Sequence, residues 1–471
     1  MTYISRRNVL RGSAAIGFTS ATGLLSSMGG AYAADTSGYK ALVCLFLKGG
    51  MDALDTVLPY DQESHDALRE TRRDMFNQYR VGTGDSSRDI ENMLELSTSR
   101  NFGGRKFALP RELSPMHELY TQGDMAVVGN VGPLIAPTTR SEMDNRSVEV
   151  PKRLFSHNDQ QSIWMSMGLQ GKRFGWGGQF ADRVAPTSGT GLTFASITAS
   201  RPESFLRASR TRQYPARQSG PIKLSVAQDR YRLGNDADVA RQLLADHYAS
   251  RGAQSDNMLI RDLVAANTRT QDDNASFKEA IETAGDFTTV FPDTGIGRQL
   301  KTIALVISIQ GTLGANRQVF YAEQGGFDTH DRQFQNLPMR HTEVAEAVAA
   351  FSAAMKEIGR DDEVTLFTAS DFGRTGFING DGTDHGWGGH HFVVGGAVKG
   401  GEIYGNMPDF DFGSERYTNS RGRLIPDVSV DQYAASMGRW FGLTGGELRD
   451  ALPNLGNFSN VPDLFGLGAT V

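Results

Sequence analysis

Six short apolar runs, separated by stretches of helical spacing, organise the chain. Ala41-Leu42-Val43-Cys44-Leu45-Phe46-Leu47 is unbroken and stops at Gly49-Gly50, the pattern of a strand buried on both faces, as in a parallel sheet. Met125-Ala126-Val127-Val128-Gly129-Asn130-Val131 reads the same way, after a helix opened by Ser114-Pro115 and ending near Tyr120. Further strands are predicted at 304–309, 319–322, 364–368 and 391–394. A long helix is predicted over about 335–358, where alanines and apolar residues recur at three- and four-residue spacing. Helices are also expected over 158–167 and 431–441. Alternating strands and helices specify an α/β fold, a mostly parallel sheet sandwiched by helices. Residues 200–300 break the alternation. They are rich in Arg, Asp, Asn and Ala, carry helical patterns around 237–247 and 274–284, and read as an inserted, mainly helical lobe.

The first 33 residues stand outside this scheme. Arg6-Arg7 precedes a weakly apolar stretch from about Gly12 to Met28, and Ala31-Tyr32-Ala33 supplies a small-x-small cleavage pattern. The twin-arginine form belongs to the bacterial route that exports folded proteins, so the expected partner in transit is the twin-arginine translocase and the expected destination is the periplasm or beyond. Residues 34–471 are then one domain that includes the lobe. No other stretch approaches the ~18 apolar residues of a membrane span.

Composition narrows the function. With 48 basic and 54 acidic residues and a formal charge of -6, a general nucleic-acid binder is not expected. Cys44 is the single cysteine, which excludes an intrachain disulfide. It lies in an apolar run without a flanking base or cation, so it reads as a buried small hydrophobe rather than a nucleophile.

The candidate chemistry follows the strands. Lys48-Gly49-Gly50-Met51-Asp52 comes directly after the first strand, where ligands of open α/β sheets bind. Gly325-Gly326-Phe327-Asp328-Thr329-His330 follows another apolar run; Asp328 and His330 are two apart and share a face in extended backbone. Ser370-Asp371-Phe372-Gly373-Arg374-Thr375 leads into Thr383-Asp384-His385 and His390-His391, so five of the nine histidines fall within 326–391. Of these, His341 lies inside the predicted helix and reads as unrelated. Oxygen and imidazole ligands together suit zinc, manganese or iron better than calcium. Arg374 is a candidate anion clamp, since a guanidinium binds phosphate or sulfate through parallel hydrogen bonds, and Lys48 is a second candidate. A salt bridge that fixes the loop fits Arg374 equally well.

These stretches, with Ser156-His157-Asn158-Asp159-Gln160 and Gly382-Thr383-Asp384-His385-Gly386, resemble the DUF1501 family of bacterial proteins, usually exported by the twin-arginine route, over nearly all of residues 34–471. That family is in turn distantly similar to the alkaline phosphatase and sulfatase superfamily. The resemblance implies an alkaline phosphatase-like sheet with metals at the strand ends. Carried over by position, Asp52, Asp328, His330, Asp371 and His385 would be metal ligands for one or two ions. Phe372 stands where the superfamily has a second ligand, and His390 or His391 would have to compensate. The nucleophile position falls best on Ser156, at the start of the 158–167 helix beside His157, with Thr138, Thr139 and Ser141 as rivals; Ser156 serves equally as a plain helix cap. The sulfatase Cys-x-Pro-x-Arg motif is absent, because Cys44 lies elsewhere.

The function these features imply is an exported, metal-dependent hydrolase of phosphate or sulfate esters. Its substrate would be an anionic small molecule or glycan ester, with Ser156, His157, Arg374 and Lys48 serving catalysis. The alternative is a non-catalytic periplasmic or cell-surface binding protein on the same fold. A redox centre with iron or copper is compatible with the same ligand types.

Overall fold

A computed structural model describes residues 34–470, apart from 84–86, 170, 172, 187, 419–420 and most of 218–252. The leader over 1–33 and the predicted helix at 237–247 thus lie largely outside the described residues. The central sheet contains β1 (Lys40–Leu47), β2 (Met125–Gly132), β3 (Ser196–Thr198), β4 (Gln213–Pro215), β5 (Arg317–Gln324), β6 (Val364–Ser370), β7 (Gly389–Val394), β8 (Ile403–Gly405) and β9 (Val428–Ser429). Its order is β8-β2-β7-β6-β1-β5-β3-β4, with β9 also against β2. Only β7 runs against the rest, antiparallel to both β2 and β6.

Strand β1 explains why the sheet needs two covers. Ala41, Val43, Leu45 and Leu47 face one apolar layer, while Leu42, Cys44 and Phe46 face the other. Period-two alternation in an all-apolar strand leaves no side for water. The first layer is built on α5 (Gly295–Ser308) and α6 (Gln333–Glu357), through Leu300, Ile303, Ile307, Val344, Val348 and Phe351. The second rests on α3 (Trp176–Val184) and α7 (Val430–Phe441), through Trp176, Phe180, Tyr433, Met437 and Phe441. Helix α7 starts with a capping box in which Ser429 and Gln432 satisfy each other's backbone N–H. Helix α1 (Ser114–Gln122) carries Pro near its start and ends on Gly123 in the left-handed conformation.

The α/β expectation holds, with two corrections. The run at 304–309 is the end of α5, not a strand. Its apolar residues continue a helical series from Ile296 and Leu300, and Thr294 caps the helix by accepting from Gly297 N–H; a six-residue apolar run cannot by itself separate the two. The 200–300 region holds the 24-residue helix α4 (Met258–Ile281), but also contributes β4 to the sheet edge. Among the described residues no helix is long and apolar enough to cross a membrane.

Candidate metal centre

Three adjacent parallel strands, in the order β6-β1-β5, deliver their carboxyl ends to one rim of the sheet. The turn after β1 is Gly49-Gly50, the loop after β5 carries Asp328 and His330, and β6 ends directly before Asp371. Both glycines are required. Each has positive φ, and a Cβ on Gly49 would sit 2.3 Å from the Asp328 nitrogen, one on Gly50 2.4 Å from the Phe372 ring. The turn therefore lets the Asp328 loop close down on β1. A hairpin of Arg374–Ile378 and Thr383–His385 sets Arg374 opposite His385, and α2 (His157–Ser166) brings His157 in at its first residue.

These elements converge on the Asp328 carboxylate. Its oxygens lie 3.4 Å from His157 Nε2, 3.1 Å from His330 Nε2, 3.4 Å from His385 Nε2 and 2.8 Å from Arg374 Nη1. Burial opposes ionisation of Asp328, but hydrogen bonds from His157, His385 and Arg374 hold its carboxyl far below the ordinary range. The far nitrogen of each imidazole is anchored. His157 Nδ1 is 2.6 Å from Asp371 Oδ2, His385 Nδ1 is 2.8 Å from the Phe155 carbonyl, and His330 Nδ1 is 3.3 Å from Asp384 Oδ1. With an acceptor on each Nδ1, loss of the Nε2 proton to a bound ion would turn the Nε2 lone pair inward, the arrangement that orients metal-binding histidines.

The His330 and His385 Nε2 atoms are 2.9 Å apart. A proton shared between the two nitrogens fits that distance, and so does an ion held by both. Donor atoms of His157, Asp328 and His385 all fall within 4.8 Å of one another, and His330 Nε2 lies 3.1 Å from the same carboxylate and 2.9 Å from His385 Nε2. That spacing suits ligands placed ~2 Å from a common ion. Without an ion, hydrogen bonds donated to Asp328 and Asp371 raise the His157 pKa to about 9.

Supporting groups surround the cluster. Asp371, fully buried, also accepts from Gln161 Nε2 at 2.8 Å and Gly49 N–H at 3.2 Å. It touches the cluster through His157. Phe372 packs its ring 4.8 Å from that of His157 and 4.7 Å from that of His385, forming an apolar wall at the place where a second ligand was expected. Phe155 has φ +70°, a left-handed conformation unusual for an aromatic residue, and its carbonyl is the one that holds His385.

Several residues singled out in the sequence have other partners. Asp52 is 0% exposed and bound through both oxygens to Arg72, at 2.8 and 3.1 Å, with Gln333 Nε2 at 2.7 Å on the same carboxylate. It also caps the short turn 53–55. His390 is buried in β7, its Nδ1 accepting from Asn130 N–H at 3.0 Å, and burial lowers its pKa to about 3. Lys48 bridges Glu203 and Glu323 at 2.7 and 2.5 Å. Arg374 is 1% exposed, its guanidinium occupied by Asp328, the Gly49 carbonyl and both oxygens of Thr383. It holds the carboxylate in place rather than opening toward solvent. The Ser156 hydroxyl donates to Asp159 Oδ2 at 3.0 Å and does not accept from its own helix. Asp384, Gln161 and the Phe155 carbonyl were not anticipated; of these, only the Asp384-His385 adjacency carried a sequence signal.

A family model described as "Protein of unknown function (DUF1501)" matches residues 39–447, and the chain belongs to that family. No curated protein matches the chain. Solved structures similar to it include the PsFucS1 sulfatase from Pseudoalteromonas sp., at 8% identity and TM-score 0.35, covering 87% of this chain and 68% of that one. Ps i-CgsB is similar at 9% identity and TM-score 0.34, covering 89% of this chain and 77% of that one.

Proposed function

Within a family of unassigned reaction, we propose that this protein is an exported, metal-dependent hydrolase of phosphate or sulfate esters. His157, His330, His385 and Asp328 would hold a single divalent ion. The observation that carries the reading is the inward convergence of three Nε2 atoms on one carboxylate, each ring fixed from behind by Asp371, Asp384 or the Phe155 carbonyl. Three imidazoles and one carboxylate favour zinc, manganese or iron over calcium. Such an ion supplies Lewis acidity toward an ester oxygen and lowers the pKa of water into the neutral range.

The remaining steps belong to the chain. Asp371 holds the His157 ring by its Nδ1 proton, and Arg374 fixes Asp328 while balancing its charge. Phe372 keeps water from one flank of the two imidazoles. The first turn of α2 starts at His157 without a side-chain cap; its free N–H groups and the positive end of the helix dipole favour an anionic substrate. With the Ser156 hydroxyl engaged by Asp159, water is the attacking group in this reading. Asp384 stands behind the His330 ring, on its Nδ1, and orients it.

A second reading, anion binding without chemistry, draws on the pairing of Lys48 and Arg374, the two cations assigned to substrate, with carboxylates of the chain itself. The deciding experiment is metal analysis together with a screen of phosphomonoester, phosphodiester and sulfate ester substrates, in wild type and His385→Ala. Near-stoichiometric zinc, manganese or iron, with turnover lost in the variant, supports the hydrolase. Bound metal without turnover on any ester class would leave the binding reading.

A further inference from the structure

A cavity of about 190 Å³ lies apart from the metal cluster and shares no residue with it. Its walls are mostly apolar, with Leu134, Ile163, Met167 and Val430 among them. They come from both sides of the segment that carries His157: residues 149–152 before it, and the carboxyl end of α2 with residues 167–169 after it. Asp431, in the first turn of α7, forms part of the wall and is 2% exposed.

The Asp431 carboxylate has no cationic side chain in contact; the first turn of α7, in which it stands, offers it only the partial positive charge of the helix dipole. It accepts from neutral groups: the Asn454 backbone N–H at 2.9 Å, the Asn454 side-chain nitrogen at 3.4 Å and its own backbone N–H. Two other deeply buried carboxylates have an arginine in contact, Asp52 with Arg72 and Asp55 with Arg88, and Asp371 has the His157 imidazole. Burial alone pushes the Asp431 carboxyl up to about 6. A carboxylate kept from water without a cation is costly, and a ligand that brings one recovers that cost.

One further feature points to the same sign of charge. The cavity receives the carboxyl end of α2, where Met167 terminates the helix in the left-handed conformation and the helix dipole is negative. Glu149 and Lys152, both exposed, also line the cavity and offset each other's charge. The volume corresponds to roughly six waters at ~30 Å³ each, room for a short aliphatic or small cyclic body.

We propose that this cavity is a binding site for a small organic ammonium ion, its charged head on Asp431 and its apolar body against Leu134, Ile163 and Met167. The site is independent of the metal centre and of the hydrolase reading.

The test uses n-butylammonium and its neutral counterpart 1-butanol as probes of the full mature chain, followed by ligand-observed NMR and calorimetry. Wild type should bind butylammonium at one site, at least about tenfold more tightly than butanol, the factor expected of one charge-assisted hydrogen bond. Asp431→Asn, which keeps the shape and an acceptor for Asn454, should remove that preference. Ile163→Phe, which fills the cavity, should abolish binding of both probes. Equal binding of the two probes by wild type, or unchanged butylammonium binding in either variant, would overturn the proposal.

Discussion

Replacing Arg72 by Met separates a structural role for Asp52 from a metal-binding one. The Arg72 guanidinium is 1% exposed and makes four hydrogen bonds: to both Asp52 oxygens, at 2.8 and 3.1 Å, to the Thr375 carbonyl at 2.7 Å and to the Gly376 carbonyl at 3.0 Å. Methionine approximates the length of the arginine stem but supplies none of these donors. Asp52 would keep only Gln333 Nε2 and the Leu54 N–H, and its charge would be enclosed without a partner. Breaking a buried pair from one side costs about 3–5 kcal/mol. The two stranded carbonyls place this variant in the upper half of that range. Asp52→Asn/Arg72→Met removes both charges and should recover part of the loss. Urea denaturation midpoints supply the measurement, with bound zinc determined on the folded proteins after dialysis. The single and double variants should lose stability in that order while retaining the ion. A wild-type midpoint for Arg72→Met, or a double variant that stays folded and loses its zinc, would refute the structural assignment and return Asp52 to the metal.

Asp371→Asn should weaken metal affinity by ~10–100-fold with little change in stability, as expected when the hydrogen-bond partner of a ligating histidine is altered; competition with a chelator measures it. Gly49→Ala forces a Cβ to within 2.3 Å of the Asp328 nitrogen at a φ of +116°, and should cost ~1–3 kcal/mol and lower metal occupancy together. Asp431 predicts a pH effect on stability. Its carboxyl is raised from 3.8 to about 6 in the fold, so its stabilising contribution is complete below pH ~4 and is lost as pH rises through about 6. Asp431→Asn should therefore be more stable than wild type at pH 7.5, by on the order of 2 kcal/mol, with the gap closing near pH 4. Denaturation midpoints at the two pH values read the sign, and a gap that does not depend on pH would contradict it.

Strand β1 was legible because seven consecutive apolar residues leave no polar face, and the structure buries all seven. Strands β3 and β4 were not, because three residues such as Ser196–Thr198 carry no period. The 304–309 run was misread for a related reason: the helical series that governs it begins eight residues earlier, at Ile296. In the candidate site, Asp328, His330 and His385 were visible as polar residues set among glycines just past apolar runs. Asp52 has the same signature, and its partner Arg72 lies 20 residues away, at the junction after the helix Gln62–Thr71, with no mark to connect them. The position of His390 depended on strand parity, and a register irregularity between Gly389 and His391 makes parity a poor guide there. Which cations face solvent was likewise hidden, since Arg374 and Lys48 acquire their carboxylates only through tertiary contacts.

X-ray absorption at the zinc edge, on protein reconstituted with zinc, probes the proposed centre most directly. A single site with nitrogen and oxygen ligands at ~2.0–2.1 Å, and multiple-scattering features of three imidazoles that fall to two in His330→Ala, is the predicted result. A spectrum without imidazole scattering, or one unchanged by loss of His330, would mean that these side chains meet for structural reasons alone.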